Sequence, residues 1–109
     1  MKKELDQILK FQEDRDWKQF HSPKNLAISL VLEATEALEI FQWSKDNSLP
    51  EDRINQLGQE LADVYYYLLL LAHETGIDIK DEFRKKIELN ASKYPVDKSK
   101  GSSTKYNEL

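Results

Sequence analysis

The chain of 109 residues has no cysteine, which excludes disulfides, thiolate nucleophiles and cysteine-based zinc sites and fits a reducing compartment. Glycine and proline number three each, too few for a loop-rich or all-β protein. There is no long hydrophobic run. The longest apolar-aromatic stretch, Val64 to Ala72, is about half of the ~20 residues a spanning helix needs, so it reads as core and no membrane partner is expected. Positive charge is not in excess either. Sixteen Lys and Arg against twenty Asp and Glu give a formal charge of −4, which supplies no field to hold a nucleic-acid polymer or an anionic membrane. Small phosphate compounds stay open as partners if a divalent cation mediates the contact. The opening Met1-Lys2-Lys3-Glu4 leads into an amphipathic pattern and not an apolar signal region, so a cytoplasmic location is expected.

What is present is helical. Hydrophobic residues make up 39% and charged residues 33%, ordinary water-soluble composition in a length that fits one domain. Leu, Glu, Lys, Gln and Ala are abundant, and all favour helix. Apolar residues three to four apart from Leu5 predict a first helix to about Phe20. Ser22 and Pro23 form an N-cap and first-turn pair for a second helix to about Lys45. After the turn cluster 46–52, with Pro50 near a first turn and acids behind it, a third helix runs to about Thr75. Gly76 is its natural left-handed terminator, and Asp78 caps a fourth helix that ends by Lys93 because Pro95 forbids helical geometry at Tyr94. The expected organisation is an all-α, four-helix bundle-like domain over residues 1–95 and a polar tail over 96–109, disordered or draped over the body.

Helices two and three break a simple amphipathic design. With Glu33 at zero on a wheel of 100° per residue, Leu26, Leu30, Ala37 and Ile40 all fall within about 60° of it, and Glu36 lies about 60° round. Around Glu60, Leu57, Val64, Tyr67 and Leu71 fall within about 60°, and Asp63 lies about 60° round. Each helix thus carries an acid-x-x-acid pair inside its apolar arc, with the two side chains on adjacent turns about 5 to 6 Å apart at Cβ. Four bare carboxylates facing one another would repel, and their desolvation would add several kcal/mol. Lys or Arg partners, protonation, or hard divalent cations such as Mg²⁺ or Mn²⁺ can neutralise them. A solvated bundle edge with lysines from helix four is the bland alternative. Ferritin-like di-iron chemistry fails, because neither His21 nor His73 has a Glu three residues before it.

Glu33-Ala-Thr-Glu36, followed after 23 residues by Glu60-Leu-Ala-Asp63, resembles the ExxE…ExxD signature of the MazG-like, all-α nucleoside triphosphate pyrophosphohydrolases. Arg15-Asp16-Trp17-Lys18-Gln19-Phe20-His21-Ser22-Pro23-Lys24-Asn25-Leu26 resembles the entry segment of the dCTP pyrophosphatase branch of that family, and Glu39-Ile40-Phe41-Gln42-Trp43 resembles its ELFQW. Lys86-Ile-Glu-Leu-Asn90-Ala-Ser-Lys93-Tyr94-Pro95-Val96 is similar to its KxxxNxxxYPV, and Gly101-Ser-Ser-Thr-Lys105-Tyr106-Asn-Glu108-Leu109 to its terminal GSxxKYxEL.

The resemblance implies hydrolysis of a nucleoside triphosphate, dCTP or a modified dCTP, to monophosphate and pyrophosphate, which clears the nucleotide pool. Glu33, Glu36, Glu60 and Asp63 would then hold Mg²⁺, with Mn²⁺ as a substitute, and Glu33 or Glu36 would take a proton from the attacking water. Lys86 and Asn90 become phosphate or sugar contacts. Trp17 and Trp43 become stacking platforms for the base, at roughly 1 to 3 kcal/mol each. Tyr67, one turn beyond Asp63, and His21, just before the second helix, complete the expected substrate-binding set. Apolar residues all round helix two and the run Leu68 to Leu71 predict a homo-oligomer, and the resemblance points to a tetramer built as a dimer of dimers. The competing readings are a non-catalytic helical dimerisation module and a related dUTP or house-cleaning pyrophosphohydrolase.

Overall fold

The computed structural model describes residues 1–44 and 48–103, and every regular element among them is helical. The order is α1 Lys2–Asp14, a 3₁₀ turn Lys18–Phe20, α2 Pro23–Glu39, α3 Glu51–Glu74, α4 Ile79–Lys93 and a single turn α5 Val96–Ser99. The expected end of helix two at Lys45 and the core of the 46–52 turn cluster lie partly outside the described residues. Among the described residues, no helix is long and apolar enough to cross a membrane. The chain divides into a unit over Met1–Ile77, in which α1 and α2 pack on α3, and a second unit from Asp78 that carries α4 and α5.

The helix starts follow the sequence chemistry. The Ser22 hydroxyl accepts from the Asn25 backbone N–H at 3.1 Å with Pro23 in the first turn, and an Asp78 carboxylate oxygen accepts from the Asp81 N–H at 3.1 Å. Gly76 adopts φ 70°, and the Ile77 N–H to Ala72 carbonyl bond of 2.9 Å closes α3 in a Schellman motif.

Two helices end earlier than their periodicity suggests. Helix α1 stops at Asp14, six residues short of Phe20, because Asp16 takes the left-handed conformation at φ 54°. The Trp17 N–H then donates to the Gln12 carbonyl at 3.0 Å and the Asp16 N–H to the Glu13 carbonyl at 3.1 Å, the same closure that Gly76 makes in α3. Aspartate is one of the few non-glycine residues that visit this region, so the stop carries no glycine signal. Helix α2 stops at Glu39, and from Phe41 to Ser44 the bonds reach back three residues instead of four.

The core of the first unit comprises Ile8, Leu26, Ile40, Leu69, Leu70 and Ala72. Leu26 and Leu70 are enclosed completely, each contributing about 1.5–3 kcal/mol by burial, and they fix α2 and α3 in the relation that brings their acidic faces together. Ile28, Val31, Leu32 and Leu38 of α2 stay exposed.

Candidate active site

The packing of α2 on α3 turns the two acid pairs into one cluster. Glu33, Glu36 and Glu60 each place a carboxylate oxygen so that the three atoms lie within 4.8 Å of one another. Glu33 and Glu60 are half-buried, and an oxygen of each, Oε2, is shielded from solvent with no hydrogen-bond partner. Asp63 is outside this triplet, but its charge acts on both Glu33 and Glu60. Among the described residues, none of the four acids forms an ion pair.

The electrostatics register the crowding. Burial pushes the Glu33 carboxyl up to about 7 from the ordinary 4.5, helped by its hydrogen bond to Glu36 and by the charges of Glu36, Asp63 and Glu60. Glu60 is raised first by its hydrogen bond to Glu36, then by burial and by the same neighbouring charges. Of the three ways to relieve such a cluster, side-chain cations are not used, which leaves protons or a metal ion. The donor set is all oxygen, and its two shielded, unpartnered oxygens are lone pairs that a hard divalent cation would satisfy, so the residues fit Mg²⁺ or Mn²⁺.

Beside the cluster opens a cleft of about 520 Å³, whose walls include Glu33 and Asp63 together with Phe11, Trp17, Tyr66 and Tyr67. The rings form a chain of edge-to-face contacts: Phe11 to Trp17 at 5.6 Å between centroids, Phe11 to Tyr66 at 6.4 Å, and Tyr66 to Tyr67 at 5.0 Å. The Arg15 guanidinium lies 3.7 Å above the Phe11 ring and donates to the Phe11 carbonyl at 3.2 Å, which holds the first ring of the chain. Trp17 is 43% exposed, the Arg15 guanidinium lies 6.0 Å from its ring centroid, and its backbone position is set by the turn at Asp16. At another part of the wall the Tyr65 hydroxyl donates to Glu4 Oε1 at 3.4 Å.

The structure therefore joins Glu33, Glu36, Glu60, Asp63, Trp17 and Tyr67 around one locality. It does not join all the residues predicted with them. His21 lines a separate cavity with Gln12 and His73. Trp43 stands 79% exposed in the turns after α2 and is not among the residues that line the cleft. Lys86, exposed, and Asn90, half-buried, lie one turn apart on α4 in the second unit. Phe11 and Tyr66 are cleft residues that sequence reasoning missed. Phe11 reads as an ordinary apolar position of helix one, and of Tyr66 and Tyr67, three and four residues beyond Asp63, only Tyr67 was expected at the site. Steps of about 100° per residue send the Tyr65 and Tyr66 rings to different neighbours, Tyr65 to Glu4 and Tyr66 to Phe11.

Residues 28–109 match the model of the MazG-like family. The chain is 39% identical over 104 residues to dCTP pyrophosphatase 1 of Mus musculus and 39% identical over 105 residues to its namesake in Homo sapiens, in each case over 91% of this chain. It spans 61% of the length of those two relatives. Its fold is similar to the crystal structure of a pyrophosphatase from Archaeoglobus fulgidus, with a TM-score of 0.78 and 36% identity, covering 87% of this chain and 92% of that one.

Proposed function

Because the chain belongs to the MazG-like family, we propose that it hydrolyses dCTP, or a modified dCTP, to the monophosphate and pyrophosphate in a Mg²⁺-dependent reaction. The observation that carries this reading is the set of shielded, unpartnered carboxylate oxygens of Glu33 and Glu60 at the edge of an aromatic cleft. The names of the relatives, dCTP pyrophosphatase and pyrophosphatase, support the substrate class.

Glu33, Glu36, Glu60 and Asp63 would hold Mg²⁺, or Mn²⁺ in its place, which supplies positive charge against the phosphate oxygens and acidifies water. The base enters the aromatic side, where Trp17 and Tyr67 orient it and Phe11 and Tyr66 back them. A carboxylate of the Glu33–Glu36 pair takes the proton from the water that attacks the α-phosphorus. The new bond from water oxygen to α-phosphorus forms as the bond from that phosphorus to the bridging oxygen breaks, and pyrophosphate leaves. Lys86, Asn90 and Trp43 are assigned to further contacts with phosphate, sugar and base, which the family resemblance supports.

The catalytic domain in this reading is residues 1–95, with 96–109 as a polar tail. The exposed Ile28, Val31, Leu32 and Leu38 of α2 support a homo-oligomer, a tetramer built as a dimer of dimers. A cytoplasmic location belongs to the same reading. The deciding experiment is a panel of nucleoside triphosphates with Mg²⁺ or with EDTA, in which monophosphate and pyrophosphate are quantified. Equimolar dCMP and pyrophosphate from dCTP, abolished by EDTA, is the expected result. Orthophosphate as the product, or no turnover of any nucleotide, would overturn it.

A further inference from the structure

Trp17 lines the aromatic cleft from the connection between α1 and the 3₁₀ turn, so helical geometry does not fix its ring. Both of its backbone groups are engaged. The Trp17 N–H donates to the Gln12 carbonyl at 3.0 Å, and the Trp17 carbonyl accepts from the Phe20 N–H at 3.0 Å. The first of these bonds closes α1 and requires Asp16 to stay in the left-handed region, at φ 54°. That region is costly for most residues with a Cβ, and Asp or Asn enters it because a short polar side chain can bond locally.

The local bond at Asp16 comes from Gln19, a residue of the 3₁₀ turn. Its amide nitrogen Nε2 donates to the Asp16 carbonyl at 2.9 Å and to the Asp16 carboxylate oxygen Oδ2 at 3.1 Å, so one side chain grips both the backbone and the side chain of the left-handed residue. With the turn held in this way, the Trp17 ring meets the Phe11 ring edge to face. Asp16 and Gln19 are not among the residues that line the cleft, and among the described residues Asp16 is outside the group of acids whose oxygens gather closely. Their grip on each other serves the ring that follows. We propose that Asp16 and Gln19 are positioning residues for the base: they hold Trp17 as the stacking platform, so that nucleotide affinity depends on a turn outside the cleft, while the chemical step does not. This rests on the role given to Trp17 in the proposed function.

A conformational role and an electrostatic role of Asp16 predict different orders of substitution. Asn has no charge, but it tolerates the left-handed backbone and keeps an oxygen for Gln19 Nε2. Gly tolerates the backbone without offering that oxygen, and Ala does neither. The KM for dCTP in saturating Mg²⁺ should therefore stay near that of the parent in Asp16→Asn, rise about 2- to 5-fold in Asp16→Gly and rise about 5- to 30-fold in Asp16→Ala. Gln19→Ala, which removes both bonds, should raise it about 2- to 10-fold. Turnover at saturation should stay within about twofold of the parent in all four. In a Trp17→Ala background Asp16→Ala should add nothing, because the ring through which it acts is gone.

Amide hydrogen exchange gives a readout that needs no nucleotide. The Trp17 N–H should exchange several-fold faster in Asp16→Ala and Gln19→Ala, while amides in the middle of α2 and α3 keep the protection of the parent. Asp16→Asn as harmful as Asp16→Ala would assign the effect to charge and overturn the proposal. So would an additive loss in the Trp17→Ala background, a fall in turnover with KM unchanged, or an unaltered Trp17 amide. In each of these cases the parent still hydrolyses dCTP, which separates them from failure of the hydrolytic reading itself, where the parent turns over no nucleotide and the proposal falls with it.

Discussion

Two groups of acids on this molecule have the same residue types and opposite electrostatics. On α4, Asp81 is bonded by Arg84 and pairs with Lys85 Nζ at 3.3 Å, and Lys85 reaches Glu82 at 3.6 Å. The hydrogen bond from Arg84 lowers the Asp81 carboxyl below its ordinary value, and the bond to Asp81 raises Lys85. On α2 and α3 the sign reverses, with Glu33 and Glu60 both raised and neither in an ion pair among the described residues. The difference is visible in spacing. Asp81 has cations three and four residues ahead, whereas the positions three and four away from Glu33 are Ser29, Leu30, Glu36 and Ala37, and those from Glu60 are Gln56, Leu57, Asp63 and Val64. An acid on a helix with a cation in reach is part of the surface. Acids on packed helices with only apolar, polar uncharged or acidic neighbours keep a repulsion that only protons or a metal ion can relieve.

The sharpest way to break this contrast is to neutralise one member of the cluster. Glu33→Gln keeps shape and removes a ligand charge and one of the two candidate bases, so turnover should fall by about 10² to 10⁴-fold. Its melting temperature should stay equal or rise, because one repulsive, desolvated charge is gone. Near-normal turnover, measured as pyrophosphate release, would remove the acids from catalysis.

The aromatic half of the site responds differently. Trp17→Ala should raise the Michaelis constant by roughly 5 to 150-fold, the equivalent of 1 to 3 kcal/mol of stacking, with a smaller change in turnover at saturation. Truncation of a buried core Trp would instead cost about 3–5 kcal/mol of stability. A large melting shift with an unchanged Michaelis constant would make Trp17 a packing residue. Trp43→Ala, measured in parallel, separates the ring that lines the cleft from the one that does not.

These two regions also differ in how much of them the sequence discloses. The acid pairs were legible because a charge inside an apolar arc violates helical patterning, and the arc says which way it faces. Helix starts were legible for the same kind of local reason, as at Ser22 and Asp78. The end of α1 was not, since Asp16 enters a left-handed conformation without a glycine to announce it, and the position of Trp17 depends on that turn. The cleft is a product of α1 lying on α3, a relation no periodicity encodes, so Phe11 and Tyr66 were hidden until the packing was known. His21, four residues after Trp17, and Gln12, five before it, were parted from the cleft by that same turn.

A pH series extends the contrast to stability. The folded state holds a proton on Glu33 more tightly than the unfolded chain does, with a value of about 7 against 4.5. Below about pH 4.5 both states are protonated and the site costs nothing, and above about pH 7 the folded state bears the whole repulsion. In EDTA the melting temperature should therefore fall through that window as pH rises, Glu60 adding to the slope in the same direction. Mg²⁺ should flatten the alkaline end, because an ion that binds only the folded state raises its stability. A slope unaffected by either Mg²⁺ or Glu33→Gln would mean that the cluster is not the source.

The smallest effect belongs to the paired acids, and it has the opposite sign. Asp81 is held below its ordinary pKa, so it adds stability above about pH 3.8 that disappears as pH falls through its lowered folded value. Asp81→Asn should lower the melting temperature at neutral pH by only about 1 to 5 °C, since exposed ion pairs are weak and this helix keeps its Asp78 cap. In about 1 M salt, where the screening length shrinks to roughly 3 Å, the difference from the parent should nearly vanish. Turnover should be unchanged. A loss of activity in Asp81→Asn comparable with that of Glu33→Gln would show that carboxylates satisfied by neighbouring cations also serve the reaction, and the presence of a cation within one helical turn would no longer separate surface acids from site acids in this chain.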